Sequence, residues 1–206
     1  MEPAFSTWII PGLLSYLVGS FPTAYLVVRW RTGQDLRRLG DGNVGAENAA
    51  RVLGVQAGAF IGGVDIAKGA LVILLTRLWV DSLPAELVAG VAVVLGHSWP
   101  VFLKGHGGRG AATALGVLLA LMPYPAVPLA LVMLLLIFLT RSTTRGLAFF
   151  YGANLLVALL TRWLLPESYQ PGWPLDYSYP VLGYALALPV LVGLIHWLSR
   201  WRVPGR

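Results

Sequence analysis

The longest apolar segment of the chain is AATALGVLLALMPYPAVPLALVMLLLIFLT, which runs from Ala111 to Thr140 and contains no charged side chain. A membrane crossing needs about 20 mostly apolar residues, so this stretch is too long for one ordinary crossing. Pro123 and Pro125 interrupt it, and a proline inside a helix removes a backbone hydrogen bond. We therefore expect two short helices folded as a hairpin, an arrangement that returns the chain to the side of the membrane from which it entered.

The rest of the chain has the same membrane character. It has 206 residues, of which 57% are hydrophobic and 12% are charged, whereas soluble proteins carry about 25% charge. With the hairpin counted as two helices, the sequence predicts an all-α polytopic membrane bundle of about seven transmembrane helices, with 1–206 as one integral-membrane domain. The predicted apolar segments are Thr7–Val28, Ala57–Val80, Pro84–Leu103, Ala111–Thr140, Gly146–Leu165 and Tyr179–Ser199.

The distribution of basic residues predicts the orientation. With the N-terminus outside, the inside segments are 29–56, 104–110, 141–145 and 200–206, and these hold twelve of the fifteen Lys and Arg residues. Such an excess is typical of cytoplasmic loops, so we expect an outside N-terminus and a cytoplasmic C-terminus in the cell membrane. The same rule accounts for the net charge of +6 without a nucleic-acid partner.

Two polar, glycine-containing stretches fall on the predicted inside face. The first is LGDGNVGAENAARVLG, Leu39 to Gly54. Its glycines let backbone N–H groups curl around an anion, and Arg51 adds a guanidinium fork that suits phosphate.

The second polar stretch is GHSWPVFLKGHGGRGAAT, Gly96 to Thr113. Here Gly107 to Gly110 lead into a predicted helix, whose N-terminus is a natural phosphate site, and Lys104 and Arg109 supply positive charge. Each loop alone is also explained as a tight turn with charges that set topology. Two of them on one face favour a phosphorylated substrate at the membrane surface.

Three further polar features lie in or beside the predicted spans. Asp65 and Lys68 are three residues apart and share a helix face; they are either a local ion pair or support for the anion site. His97 is either structural or a base or hydrogen-bond donor. His196 and Ser199 lie one turn apart near the last inner end and are candidates to close the same pocket.

The sequence argues against metal and thiol chemistry. It contains no cysteine, which excludes disulfides and a thiolate nucleophile. No His, Asp or Glu set has the spacing of metal ligands, so we expect neither a metal nor a cofactor.

The motifs, in order and spacing, resemble those of the bacterial acyl-phosphate:glycerol-3-phosphate acyltransferases, the PlsY family. The resemblance runs from Gly19 to about Thr113, and the rest of the chain agrees mainly in hydropathy, length and topology. The matching residues are Gly19-Ser20-Phe21-Pro22, Asp35-Leu36-Arg37, Gly42-Asn43-Val44-Gly45-Ala46 with Asn48 and Arg51, Asp65-Ile66-Ala67-Lys68-Gly69, Gly96-His97, Pro100-Val101-Phe102, and Gly107-Gly108-Arg109-Gly110-Ala111-Ala112-Thr113.

The resemblance implies an inner-membrane enzyme of phospholipid synthesis. It would transfer an acyl group from acyl phosphate to the 1-hydroxyl of glycerol 3-phosphate, giving lysophosphatidic acid and phosphate, without a metal or an acyl-enzyme. Its partners would be these substrates, membrane lipids and, functionally, an enzyme that forms acyl phosphate. The expected catalytic residues are Asp41, Arg51, His97, Lys104 and Arg109. The expected substrate-binding residues are Ser20, Gly42, Asn43, Gly45, Asn48, Lys68, Gly107, Gly108, Gly110, Thr113, His196 and Ser199.

The chain departs from the family pattern at several positions. Asp41 stands in place of a serine, Glu47 in place of a threonine and Arg109 in place of a lysine. The C-terminal motif is reduced to His196 and Ser199.

The two acids leave three explanations open. In the first, they point away and pair with Arg37, Arg38 or Arg51. In the second, Asp41 contacts the glycerol hydroxyl and is a candidate base. Alternatively, the protein is a relative with an altered substrate or without catalysis that binds anionic lipids or partners. A small-solute transporter fits less well, because the unusual segments gather at one face rather than at mid-membrane.

Overall fold

The computed structural model describes residues 6–164 and 179–199, and every regular element in these two ranges is helical. Single 3-10 turns occur at Leu36–Arg38 and Val101–Leu103. The α-helices are α1 Ser6–Ser20, α2 Thr23–Thr32, α3 Ala46–Leu53, α4 Val55–Val80, α5 Leu83–Ser98, α6 Ala111–Leu121, α7 Pro123–Thr140, α8 Thr143–Leu164 and α9 Tyr179–Ser199.

The described helices confirm a polytopic membrane protein. By length and composition, six segments could cross a membrane, and α6 is a shorter apolar helix beside them. These six segments are Thr7–Thr32, Val55–Val80, Leu83–Leu103, Pro123–Thr140, Thr143–Thr161 and Pro180–Ser199. The total of seven transmembrane helices and the orientation of the termini stay predictions.

Prolines break two of the predicted segments. The stretch Ala111–Thr140 divides at Met122 into α6 and α7, so the predicted interruption is confirmed. The expectation of two short helices was wrong for α7, whose 18 residues are long enough to cross a membrane alone. The first segment also divides, at Phe21 and Pro22, and it continues to Thr32 rather than ending at Val28.

Glycines let four of the helices approach closely. In the α1–α5 pair, a methyl group at Gly19 would collide with the backbone of Val93, and one at Gly96 with the carbonyl of Tyr16. In the α4–α6 pair, a methyl group at Gly69 would collide with the carbonyl of Thr113. Small residues of this kind favour helix association inside a bilayer, and here they fix the helices that carry the polar residues.

The chain divides into two compact units. The first unit combines Met1–Val117 with Val192–Arg206, and the second is Leu118–Leu191. The first unit contains both glycine-containing loops and helices α3, α4 and α5. The second contains α7, α8 and most of α9, and within it Gly146 of α8 packs against Met133 and Ile137 of α7. The predicted inside segment 200–206 lies outside the described residues.

Candidate active site

The first glycine-containing loop is folded around the side chain of Asn48. This side chain is fully buried. Its Nδ2 donates to the carbonyls of Leu39 at 2.9 Å and Asn43 at 3.0 Å, and its Oδ1 accepts from the N–H of Asp41 at 3.3 Å. Gly40 takes a left-handed φ of 56° and lies against this amide. Asn48, predicted to orient the substrate, therefore uses its amide to hold the loop.

An apolar layer supports the loop from below. Leu36, Val44 and Ala49 are buried in a cluster with Ile61 of α4 and Leu103 of the second loop. Burial of apolar area of this kind is the main stabilising contribution available to a short segment. The side chains of Asp41 and Arg51 stay partly exposed outside this layer.

The second loop is fixed by the C-terminal end of α5. The N–H of Gly108 donates to the carbonyl of His97 at 3.1 Å, and the N–H of Gly107 donates to the carbonyl of Ser98 at 3.3 Å. A methyl group at Gly107 would collide with the His97 carbonyl, and one at Gly108 with His97 Nε2. Only glycine fits so close to α5, which explains the paired glycines and brings His97 into contact with this loop.

Asp41 joins the two loops. Its Oδ2 lies 3.3 Å from Nη1 of Arg51 and 3.3 Å from Nη2 of Arg109, while its Oδ1 accepts the N–H of Asn43 at 3.1 Å. Arg51 comes from α3 and Arg109 from the second loop. Two guanidinium groups from distant parts of the chain thus meet at one carboxylate oxygen, which is the arrangement that a phosphate oxygen also favours.

The other acids near this loop pair locally. Glu47 accepts a hydrogen bond from Nη2 of Arg51 at 2.6 Å, one helical turn along α3. Arg37, one of the suggested partners of Asp41, instead forms an ion pair of 2.6 Å with Asp35. The hydrogen bonds from Arg37 hold the pKa of Asp35 below its usual value, and Asp35 raises the pKa of Arg37.

A second group of charges lies inside the bundle. Nζ of Lys68 is 2.7 Å from Oδ1 of Asp65 and 2.8 Å from Nδ1 of His97. An ammonium group has no lone pair to offer, so Nδ1 of His97 is the acceptor and a neutral ring carries its proton on Nε2. The side chains are only 3 to 8% exposed. Asp65, Lys68 and His97 therefore form a triad whose side chains contact one another. The backbone carbonyl of His97 connects this triad to the N–H of Gly108.

A small recess lies beside the triad. Asp65 and His97 line it together with Ser20 and Thr23 at the break between α1 and α2, and with Val44 and Gly107 from the two loops. The hydroxyls of Ser20 and Thr23 are buried and have no hydrogen-bond partner within the described residues. Ser20 was predicted as a substrate contact, and Thr23 was missed, although Thr23 adjoins the Gly19–Pro22 motif.

The remaining predicted residues are placed as follows. Lys104 is exposed and adopts a left-handed φ of 51°. Thr113 is fully buried in the first turn of α6. Among the described residues, its hydroxyl and Nε of Arg109 lack a hydrogen-bond partner. Gly42 and Gly110 have positive φ values of 72° and 80°.

Other predicted positions contribute local structure. Gly45 caps α3 in an extended conformation. At the end of α9, the Ser199 hydroxyl donates to the His196 carbonyl at 2.7 Å. In residues 6–164 and 179–199, no group of three or more His, Asp or Glu side chains is arranged to hold a metal ion.

A sequence model described as glycerol-3-phosphate acyltransferase matches residues 9–202 of this chain. Glycerol-3-phosphate acyltransferase 4 of Dehalococcoides mccartyi strain 195 is 39% identical over 188 residues, which are 90% of this chain and 93% of the relative. The Myxococcus xanthus glycerol-3-phosphate acyltransferase is 47% identical over 135 residues, 65% of this chain and 70% of the relative. Glycerol-3-phosphate acyltransferase 4 of D. mccartyi strain CBDB1 is 47% identical over 126 residues. This match covers 61% of this chain and 53%, about half, of the length of the relative.

Two solved structures have the same fold. Both are crystal structures of PlsY (YgiH), described as an integral membrane glycerol 3-phosphate acyltransferase. The glycerol 3-phosphate form matches with a TM-score of 0.77 and 30% identity, over 96% of this chain and 91% of that one. The lysophosphatidic acid form matches with a TM-score of 0.73 and 28% identity, over 93% of this chain and 88% of that one.

Proposed function

The chain belongs to the glycerol-3-phosphate acyltransferase family, and on that premise we propose that it transfers an acyl group from an acyl phosphate to the 1-hydroxyl of glycerol 3-phosphate. The related PlsY structures, with glycerol 3-phosphate in one and lysophosphatidic acid in the other, support the acceptor and the product. The acyl phosphate donor rests on the motif resemblance and on the phosphate chemistry of the two loops.

One observation carries the proposal. Arg51 and Arg109, 58 positions apart in the sequence, both reach Oδ2 of Asp41. Guanidinium groups that converge on one anionic oxygen are suited to phosphate, and both substrates carry phosphate. A site for this reaction must bring two such anions together, so the positive charge must come from more than one element. The two loops supply it.

The reaction needs binding and alignment more than a protein nucleophile. The 1-hydroxyl oxygen attacks the carbonyl carbon of the acyl phosphate and forms the ester bond. The bond between that carbon and the bridging phosphate oxygen breaks, and its electrons leave with inorganic phosphate. The hydroxyl proton is transferred to a substrate phosphate oxygen. Donors fixed around the developing charge and close alignment of the oxygen and the carbonyl supply the rate.

The predicted residues other than Asp41 and Asn48 have the following parts in this scheme. Arg51, Arg109 and Lys104 provide charge, and Asn43 with the backbone of Gly42, Gly45, Gly107, Gly108 and Gly110 shapes the cradle. The buried hydroxyls of Ser20 and Thr113 are available to accept or donate hydrogen bonds. Lys68 supports the site from inside the bundle, through Asp65 and His97. His196 and Ser199 stay predicted substrate contacts at the end of α9.

We place the enzyme in the cell membrane with this site on the cytoplasmic face, where the excess of arginine predicts that the loops lie. The whole chain would act as one acyltransferase domain. An enzyme that forms acyl phosphate would supply the donor.

The test follows both products at once. Purified protein in lipid receives palmitoyl phosphate and glycerol 3-phosphate, and phosphate release and lysophosphatidate formation are measured in parallel. The proposal requires both products in equal amounts, each dependent on the acceptor. Phosphate without lysophosphatidate would contradict it in favour of water or another acceptor. Neither product from folded protein would favour a relative that binds anionic lipids without catalysis.

A further inference from the structure

Asp41 occupies the position between the two arginines that a ligand oxygen would need. Its Oδ2 is shared by Arg51 and Arg109. Its other oxygen, Oδ1, is held by the N–H of Asn43, so the carboxylate belongs to the loop and is aimed at the arginines by the backbone. One oxygen of the protein therefore stands in for one oxygen of an anion.

The cluster has no net charge. Arg51 and Arg109 contribute two positive charges, and Asp41 and Glu47, both in contact with Arg51 or Arg109, contribute two negative charges. A phosphate that enters this cluster meets two guanidinium groups that already have partners. It must either replace the carboxylate or share the guanidinium groups with it.

The carboxylate is held loosely enough to be replaced. Both of its contacts with the arginines are 3.3 Å, longer than the roughly 2.7–2.9 Å of a strong charge-assisted hydrogen bond, whereas Glu47 lies only 2.6 Å from Arg51. Arg109 also has a buried Nε without a partner among the described residues. An entering phosphate would therefore have weak contacts to displace, and a rearranged Arg109 would have one further donor to offer.

We propose that Asp41 is a specificity-determining residue that competes, within the protein, with every phosphate ligand for Arg51 and Arg109. This inference rests on the proposed function. The fraction of molecules in which the carboxylate bridges the arginines is closed to phosphate, and apparent affinity falls by that fraction. The carboxylate weakens the binding of the product phosphate as well as that of the substrates, so it speeds product release at the expense of a higher KM.

A purely structural role for Asp41 predicts the opposite result. If the carboxylate only held the two arginines in place, its removal would let them move apart and would weaken phosphate binding. The sign of the change in phosphate affinity therefore distinguishes a carboxylate that competes with phosphate from one that only holds the arginines in place.

The experiment measures the binding of inorganic phosphate to purified full-length protein by calorimetry. Asp41→Asn removes the charge and keeps an oxygen for the N–H of Asn43. Glu47→Gln is the matched control, because it removes the same charge from the same cluster but from an exposed side chain that contacts only Arg51 among these arginines. Asp41→Ser is a second charge-free variant, in case the asparagine variant folds poorly.

We expect phosphate to bind Asp41→Asn about five- to tenfold more tightly than wild type, because it recovers two charge-assisted contacts. Glu47→Gln should change the affinity less than twofold. In turnover assays, inhibition by added phosphate should strengthen by the same factor in Asp41→Asn.

Unchanged or weaker phosphate binding in Asp41→Asn and Asp41→Ser would overturn the inference and leave the acyltransferase proposal standing. An equal gain in Glu47→Gln would overturn it too, because net charge alone would then explain the effect. If neither wild type nor the variants bound phosphate or glycerol 3-phosphate, the phosphate site itself would be refuted, and the proposed function with it.

Discussion

Two polar clusters in this protein each combine one aspartate with two basic residues, but one cluster is partly exposed and the other is buried. On the loops, Asp41, Arg51 and Arg109 have side chains 20%, 50% and 27% exposed, and their contacts are 3.3 Å long. Inside the bundle, the side chains of Asp65, Lys68 and His97 are 3 to 8% exposed, and Lys68 holds both partners within 2.8 Å. We therefore expect the first cluster to exchange partners with a ligand and the second to keep its own partners.

From this difference we infer that burial, rather than residue type, separates a binding role from a structural one. A charge on the loops that loses its partner is solvated by water. A charge inside the bundle that loses its partner stays unpaired in an apolar environment, which is costly. Changes in the first cluster should therefore alter turnover, and changes in the second should alter folding.

The largest effect is expected inside the bundle. Lys68→Met leaves the carboxylate of Asp65 without its cation, and breaking a buried pair in this way costs about 3–5 kcal/mol. We expect a large fall in the unfolding temperature measured in detergent. The double variant Asp65→Asn with Lys68→Met should recover most of the loss, because both charges are gone. If Lys68→Met were as stable as wild type, the buried carboxylate of Asp65 would not depend on Lys68 for its stabilisation.

The next effect is expected on the loops. Arg109→Ala should reduce kcat/KM by about 10²- to 10³-fold, the usual cost of one donor to a developing charge, and should leave the unfolding temperature almost unchanged. Arg109→Lys keeps the charge but loses the planar fork, and we expect an intermediate rate from it. Wild-type kinetics in Arg109→Ala would remove this arginine from the site.

Asn48 sharpens the comparison, because it belongs to a surface loop but is fully buried. Asn48→Ala leaves the carbonyls of Leu39 and Asn43 without their donor, at a cost of about 1–3 kcal/mol. The loss should appear as faster amide hydrogen exchange between residues 39 and 48, with a lower kcat. Exchange equal to that of wild type would mean that the loop does not depend on this amide.

The smallest effect is expected for the local pair of Asp35 and Arg37, which joins neither cluster. Its hydrogen bonds lower the pKa of Asp35 in the folded state, so the pair stabilises the protein above about pH 4 and the contribution is lost as the pH falls through the lowered pKa. Asp35→Asn should therefore cost less than about 1 kcal/mol at pH 7. The difference from wild type should shrink below pH 4. A difference that grows on acidification would contradict this assignment.

Local spacing predicted two helical features correctly. A spacing of three positions on one helix was enough to pair Asp65 with Lys68. Pro123 and Pro125 were enough to predict the break that the structure has at Met122. Pro22 carried the same signal but was read only as part of a motif, so the break between α1 and α2 was missed. In each case the information lay within one or two helical turns.

Contacts between distant segments could not be predicted in the same way. Arg51 was among the suggested partners of Asp41, because it lies nearby in the sequence. Arg109 was not, because its contact with Asp41 depends on how the second loop folds against α5. The same holds for His97, whose contact with Lys68 depends on the packing of α4 against α5. Asn48 has the side chain of a ligand contact, and only its burial assigns it to the loop.

We propose that the two loops act on one phosphate, and a double-mutant cycle of Arg51 and Arg109 tests this shared role. The kcat/KM for glycerol 3-phosphate is measured for wild type, Arg51→Ala, Arg109→Ala and the double variant. If both side chains hold the same group, the two losses are coupled by at least about 1 kcal/mol, and the double variant is clearly faster than the product of the single losses predicts. Losses that multiply without coupling would contradict the claim, because each loop would then act on its own.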